Sequence, residues 1–338
     1  MTTGELLVAL FEAYRNNDDE AFMKAAITLI EEEKSKNHYV LANKLKKILT
    51  MTPNIIIGKT FTNNLNTTFD IPRDKDKGSA LVEIKYPKKS FEDIILANDV
   101  KQQLEDIILE YRKKYILQGY GFKPKTKILF CGPPGCGKTL CSEILANELD
   151  LPILYTRFDG LISSYLGETA SNIRKVFDYA EKNNWVLFFD EFDAIGKSRD
   201  NSDENGELKR VVNSFLQILD NFNSDSFIIA ATNHEKMIDS ALWRRFDEIV
   251  FFGKPNEQQI SYLIKNKLRA FKTLDLDIEK FSKKLISSSY ADVERICTET
   301  IKHCLINGDI AINNQIFEMK LNDELKRATL IKEIGGQK

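Results

Sequence analysis

The sequence predicts an α/β fold: a mostly parallel sheet covered by helices on both faces, with a small helical domain before it and a helical lid after it. Three observations carry this. From Phe91 onward, short apolar runs alternate with helical patterns. The apolar run Lys127-Ile-Leu-Phe-Cys131 leads directly into Gly-Pro-Pro-Gly-Cys-Gly-Lys-Thr at 132–139, and then into a helical run, Leu140 to Leu149. After Pro255 only helical patterns are clear, to about residue 333.

Residues 1–50 suit three amphipathic helices. Leu6, Leu7, Leu10, Phe11 and Tyr14 form one apolar stripe, Phe22, Ala26, Leu29 and Ile30 a second, and Leu41, Leu45, Ile48 and Leu49 a third. Asn17 and Asp18 can cap the second helix, with Glu20 in its first turn. Residues 51–88 read as a linker, rich in Asn, Thr, Lys and Asp, with the polar tract Pro72-Arg-Asp-Lys-Asp-Lys-Gly78 and a short strand candidate at Leu81–Tyr86. The α/β region spans 89–253. Its strand candidates are 127–131, Ile153–Phe158, Trp185–Phe189, Phe227–Ala231 and Glu248–Phe252. Residues 254–338 make the lid and a C-terminal helix. No internal repeat is present.

Composition narrows the class. The 338 residues leave room for two or three packed units, and 43% hydrophobic with 29% charged residues suits a soluble globular chain. A formal net charge of −2 offers no basic excess for nucleic acid. No apolar run approaches the ~18 residues of a membrane span. The N-terminus lacks the basic-then-apolar order of a signal peptide. Five cysteines, at 131, 136, 141, 297 and 304, show no zinc-ligand spacing with nearby histidines. They read as reduced thiols, and the expected location is cytoplasmic.

The stretch 132–139 fits G-x-x-x-x-G-K-[ST] at every fixed position. Glycines there let the backbone turn its N–H groups around phosphate oxygens, and a helix starting near Lys138 adds its positive N-terminal end. The candidate cradle for ATP is Gly132, Pro133, Pro134, Gly135, Cys136, Gly137, Lys138, Thr139 and Leu140. Lys138 supplies a point charge for the β and γ phosphates, and Thr139 a hydroxyl for Mg²⁺. A metal partner follows in Val186-Leu-Phe-Phe-Asp190-Glu191, a buried strand ending in two acids. Asp190 suits Mg²⁺ through water, and Glu191 can polarise the attacking water. Asn233 ends another apolar strand and can orient that water; a plain turn-forming Asn is the alternative.

Together these motifs resemble the AAA branch of the AAA+ ATPases, over roughly residues 90 to 310. Phe91-Glu-Asp-Ile-Ile and Val100-Lys-Gln-Gln-Leu resemble the family's adenine-side entry segment. Leu161-Ile-Ser-Ser-Tyr165-Leu166-Gly-Glu168 resembles its first pore loop. Asp190-Glu-Phe-Asp-Ala-Ile-Gly196 is close to its extended Walker B run, which follows the Walker A loop at 132–139. Ala231-Thr-Asn233 and Asp239-Ser-Ala-Leu-Trp-Arg244-Arg245-Phe-Asp247 resemble its second region of homology. The resemblance implies that Arg244 and Arg245 reach the ATP of a neighbouring subunit, so that hydrolysis depends on assembly into a homo-oligomeric ring, a hexamer in the family. Ser288-Ser-Tyr290-Ala291-Asp292 resembles the lid's Gly-Ser-Gly-Ala-Asp stretch without its glycines, and puts Ala291 beside the nucleotide. Arg295 takes no phosphate role. Two further departures are His234 in place of an arginine, and an arginine pair without a Pro-Gly spacer, as in katanin- and spastin-like proteins.

In such a ring Tyr165, with Leu166, would meet the substrate, because an aromatic can grip an extended peptide without reading its sequence. The polar stretch Ser198–Gly206 is a candidate second central loop. The N-terminal helices resemble in size the adaptor modules of remodelling AAA proteins, and more weakly the N-terminal segments of microbial AAA ATPases encoded beside subtilisin-like proteases. The resemblance implies an ATP-driven protein remodeller that threads its substrate. An alternative is an ATP-gated interaction module that controls a partner enzyme such as a protease, in a defence or quality-control pair. A nucleic-acid machine fits the charge least.

Overall fold

The computed structural model describes residues 3–15, 19–36, 71–74, 78–157, 161, 166–195, 205–234 and 240–335. The chain divides into two compact units, Met1–Phe69 and Asp70–Lys338.

The first unit contains α1 (Thr3–Arg15) and α2 (Asp19–Ser35). Leu6 and Ala13 of α1 are buried, as are Ala25, Ala26, Leu29 and Ile30 of α2. The first expected stripe is only partly used: Leu7 is 45% and Phe11 72% exposed. A face set by positions 6, 10 and 13 turns Leu7 and Phe11 away, since neighbours along a helix lie about 100° apart. The third expected helix, around Leu41 to Leu49, and the caps Asn17 and Asp18 lie outside the described residues.

The second unit is built on a six-stranded sheet: β1 (Glu83–Lys85), β2 (Lys127–Cys131), β3 (Ile153–Arg157), β4 (Val186–Asp190), β5 (Phe227–Thr232) and β6 (Glu248–Phe251). Strand order is β1-β3-β4-β5-β2-β6. Every pairing is parallel except β1 with β3. Helices cover both faces, which is why the central strands read as unbroken apolar runs. On one face Ile128, Phe130, Val186, Phe188 and Ile229 pack with Val100, Leu104 and Ile107 of α3 (Asn98–Arg112), and with Cys141 and Leu145 of α5 (Lys138–Glu148). The short α4 (Lys114–Gly119) follows α3. On the other face Leu129, Leu187, Phe189 and Ile228 meet Ile173 and Phe177 of α6 (Leu166–Ala180), and Val211 and Phe215 of α7 (Asn205–Asn221). The rings of Phe177, Phe189 and Phe215 lie within 5.7 Å of one another, centre to centre. This aromatic cluster wedges both helices onto the sheet.

The tract ahead of β1 is fastened to α6. The Asp74 N–H donates to Ser79 O and the Leu81 N–H to Pro72 O, closing a tight turn. Asp74 is only 5% exposed, and its carboxylate accepts from Asn172 Nδ2 at 2.7 Å. Lys175 Nζ donates to Arg73 O at 3.1 Å. The charged residues that make Pro72–Gly78 read as solvated thus include one that is buried and hydrogen-bonded.

Beyond the one-turn α8 (Ser240–Trp243) and β6, four helices form the C-terminal region: α9 (Glu257–Leu268), α10 (Ile278–Lys284), α11 (Tyr290–Asn307) and α12 (Asn314–Gly335). They enclose a core of their own around Ile260, Ile264, Phe281, Val293 and Phe317. The Phe281 and Phe317 rings meet at a tilt, 4.7 Å between centres. All five cysteines are buried, and none forms a disulfide. No described helix is long and apolar enough to cross a membrane.

Candidate active site

The glycine loop joins β2 to α5 at the C-terminal edge of the parallel strands, where open α/β sheets bind ligands. Gly132 adopts φ 135°, and a Cβ there would stand 2.2 Å from Phe252 O. Gly135 adopts φ 72°, and a Cβ there would stand 2.7 Å from Ser289 Oγ. One glycine is needed because the chain leaving β6 passes so close, the other because the residue capping α11 does. The loop is also tied to α11 by the Ala291 N–H, which donates to Gly135 O at 3.1 Å.

Lys138 opens α5 and is 7% exposed. Its Nζ donates to Gly132 O at 2.7 Å and to Pro133 O at 2.9 Å. Burial holds the ammonium below its ordinary pKa, while the Cys136 thiol and Asp190 act the other way. The Thr139 hydroxyl donates to Asp190 Oδ2 at 3.1 Å. The Tyr155 phenol donates to the same oxygen at 2.8 Å, and the Glu191 N–H donates to Oδ1 at 3.0 Å. Glu191 itself is exposed, at φ 54°. A left-handed backbone at a non-glycine residue costs on the order of 1–3 kcal/mol and clusters at working sites.

These groups border a cavity of about 880 Å³. Pro134 through Leu140, Asp190, Glu191 and Asn233 line one side. Glu92 to Ile95 of the entry segment line another. The helical region closes it with Leu263, Asn266, Lys267, Arg269, Tyr290, Ala291 and Glu294. The volume suits a nucleotide-sized ligand. Ser289 caps α11 in a reciprocal box with Asp292. Tyr290 is half-buried beside Cys136, and burial pushes its phenol up to about 12.

The residues fit Mg²⁺. Its ligands are hard oxygens at about 2.0–2.1 Å in an octahedron, whose adjacent corners lie about 3 Å apart. Thr139 Oγ1 and Asp190 Oδ2 are 3.1 Å apart.

The structure gathers most of the expected site residues around this cavity. Gly132 and Pro133 stand outside its lining and serve it through Lys138. Asn233 borders it, and its N–H makes a long 3.5 Å contact to the buried Asp193. Arg244 and Arg245 are not among the lining residues: Arg244 is exposed, and Arg245 Nε donates to Asp220 at 3.3 Å. Arg295 is held by Asp292 and Glu324 within the helical region, in line with its having no phosphate role. Leu166 begins α6, while Tyr165 lies outside the described residues, as does most of Ser198–Gly206. Sequence reasoning passed over Tyr155 and the lid side chains at 263–270, and gave Asp193 and Ser289 no role of their own inside the motifs that hold them. Spacing alone could have flagged Ser289, since Ser-x-x-Asp ahead of an apolar-periodic run is a capping pattern.

A parallel sheet with this strand order, a glycine loop after β2 and an acid at the end of β4 defines a P-loop nucleotide hydrolase. The family model described as "ATPase family associated with various cellular activities (AAA)" matches residues 128–254. A protein of Sinorhizobium fredii (strain NBRC 101917 / NGR234), named as the uncharacterized AAA family ATPase y4kL, is 41% identical over 327 residues, covering 97% of each chain. The chain belongs to the AAA family of ATPases, and its activity is ATP hydrolysis.

Proposed function

We propose that this ATPase works as a head-to-tail ring that pulls a protein chain through its centre. The observation that carries the reading is the position of Arg244 and Arg245. They follow β5, as the resemblance requires, yet stand outside the chain's own cavity, Arg244 exposed and Arg245 half-buried against Asp220. Guanidinium groups so placed are available to a second copy's γ-phosphate. Head-to-tail contacts of that kind close into rings when the rotation fits, with six members by family resemblance.

Within one cavity the roles divide by chemistry. Lys138 exchanges its two loop carbonyls for β and γ phosphate oxygens, a swap that its low-dielectric setting makes worthwhile. Thr139 and Asp190 would hold Mg²⁺, which would supply charge neutralisation on the phosphates. Glu191 takes the proton of the attacking water, and Asn233 orients that water. A neighbour's Arg244 and Arg245 stabilise the charge that builds on the transferred group. Tyr165 and Leu166 grip the substrate, and the N-terminal helices select it or bind a partner such as a protease.

Mixing tests the assembly. Arg245→Ala and Glu191→Gln should each be nearly inactive alone. In mixed rings some interfaces pair an intact Glu191 with a neighbour's intact Arg245, so partial ATPase activity should return. No recovery, with mixed rings demonstrated by size and mass, would sink the action in trans.

A further inference from the structure

Tyr155 takes no part in the family's motifs, yet its phenol is the shortest contact of Asp190 described above. It donates to Oδ2 at 2.8 Å, the oxygen that Thr139 also reaches. The fold sets this up through strand register. Tyr155 on β3 lies opposite Phe188 on β4, and Arg157 opposite Asp190. A tyrosine is long enough to reach from its own pair to the carboxylate two residues further along. The ring is braced on both sides. It packs against Phe188 at 5.5 Å between centres, and Lys85 Nζ of the edge strand sits 4.0 Å above it. A cation over the ring face draws π density and makes the phenol a stronger donor.

With the Glu191 N–H on Oδ1, both oxygens of Asp190 are engaged. A carboxylate held at one end only would turn about its last torsion, which has a broad, roughly two-fold profile. Freezing that torsion would then fall to the metal-binding step. A phenol freezes it without cost to the charge, because it is a neutral donor. A lysine or arginine in its place would neutralise the carboxylate and repel the cation.

We propose that Tyr155 is a positioning residue for Mg²⁺: its phenol fixes the Asp190 carboxylate, with Oδ2 3.1 Å from Thr139 Oγ1, in the orientation in which these residues would hold the metal. The inference rests on the nucleotide-site reading given above. Partners of this kind, behind a metal ligand, commonly carry about tenfold or more in metal affinity.

The test is Tyr155→Phe in the full chain, which keeps the ring against Phe188 and beneath Lys85. Binding of a fluorescent, non-hydrolysable ATP analogue is measured in EDTA and then across a Mg²⁺ titration. Mn²⁺ bound to the nucleotide complex is counted independently by paramagnetic resonance. The affinity in EDTA should stay within about twofold of wild type, while the Mg²⁺ midpoint rises about tenfold and Mn²⁺ occupancy falls in step. Equal metal midpoints in the two proteins overturn the proposal. A variant that loses nucleotide binding in EDTA, or melts well below wild type, overturns it as well, since the phenol would then support the fold. If the wild type binds the analogue equally in Mg²⁺ and EDTA, this inference fails alone; if it binds the analogue in neither, the nucleotide-site reading fails, and this inference with it.

Discussion

Glu191 combines two properties that rarely meet by accident: an exposed carboxylate at the edge of the cavity and a left-handed backbone at φ 54°. The conformation is held because the Asp190 carboxylate takes the Glu191 N–H at 3.0 Å. Two substitutions separate its chemistry from its strain. Glu191→Gln keeps the shape and should retain ATP binding while turnover falls about 10²-fold or more, measured by phosphate release against nucleotide affinity. Glu191→Gly should be as inactive but more stable, by about 1 kcal/mol, because glycine meets no Cβ penalty there. A melting temperature at or below wild type for Glu191→Gly would show that the backbone is not strained.

The glycine positions argue the same way for whole elements. Gly132→Ala places a methyl against the Phe252 carbonyl, so the loop or β6 must shift; nucleotide binding should be lost and the melting temperature lowered. Gly308, which ends α11 at φ 74° with open space around it, makes the control. Gly308→Ala should cost about 1 kcal/mol and leave the ATPase intact. The central strands were legible because burial on both faces writes them as apolar runs; the ends of the five parallel strands differ from the expected ones by a residue at most, whereas the strand expected at Leu81–Tyr86 begins two residues later, at Glu83. The loop lysine, threonine and strand-end acids were legible because phosphate chemistry needs those types at that spacing. Tyr155 was not, since a tyrosine in an apolar strand looks like a core aromatic until register brings Asp190 beside it. Nor was the buried Asp74, whose partner Asn172 is 98 positions away in the chain. The exposure of Leu7 and Phe11 shows a third limit: periodicity marks an apolar side of a helix without saying which part finds a partner.

For the whole molecule, the division after Phe69 bears on how work and hydrolysis are shared. A protein lacking residues 1–50 should fold and hydrolyse ATP close to the wild-type rate, yet fail on its natural target. Tyr165→Ala should also keep its ATPase and lose work on protein. The two failures differ in kind. The truncated protein should no longer bind the target, whereas the Tyr165 variant should bind it and not move it. Target binding by the full chain in a pull-down, set beside ATPase rates, distinguishes them. An ATP-gated module that controls a partner enzyme would be indifferent to Tyr165→Ala, which makes this variant the divider between the two readings.

The turn at Pro72–Leu81 has a mechanical consequence. Tension on the chain ahead of Ile71 first meets Asn172 and Lys175, because Asp74 and the Arg73 carbonyl are pinned to them. The three-residue strand β1 lies downstream of that anchor. A tether fastened in this way passes its load into α6, Leu166–Ala180, before it reaches the sheet.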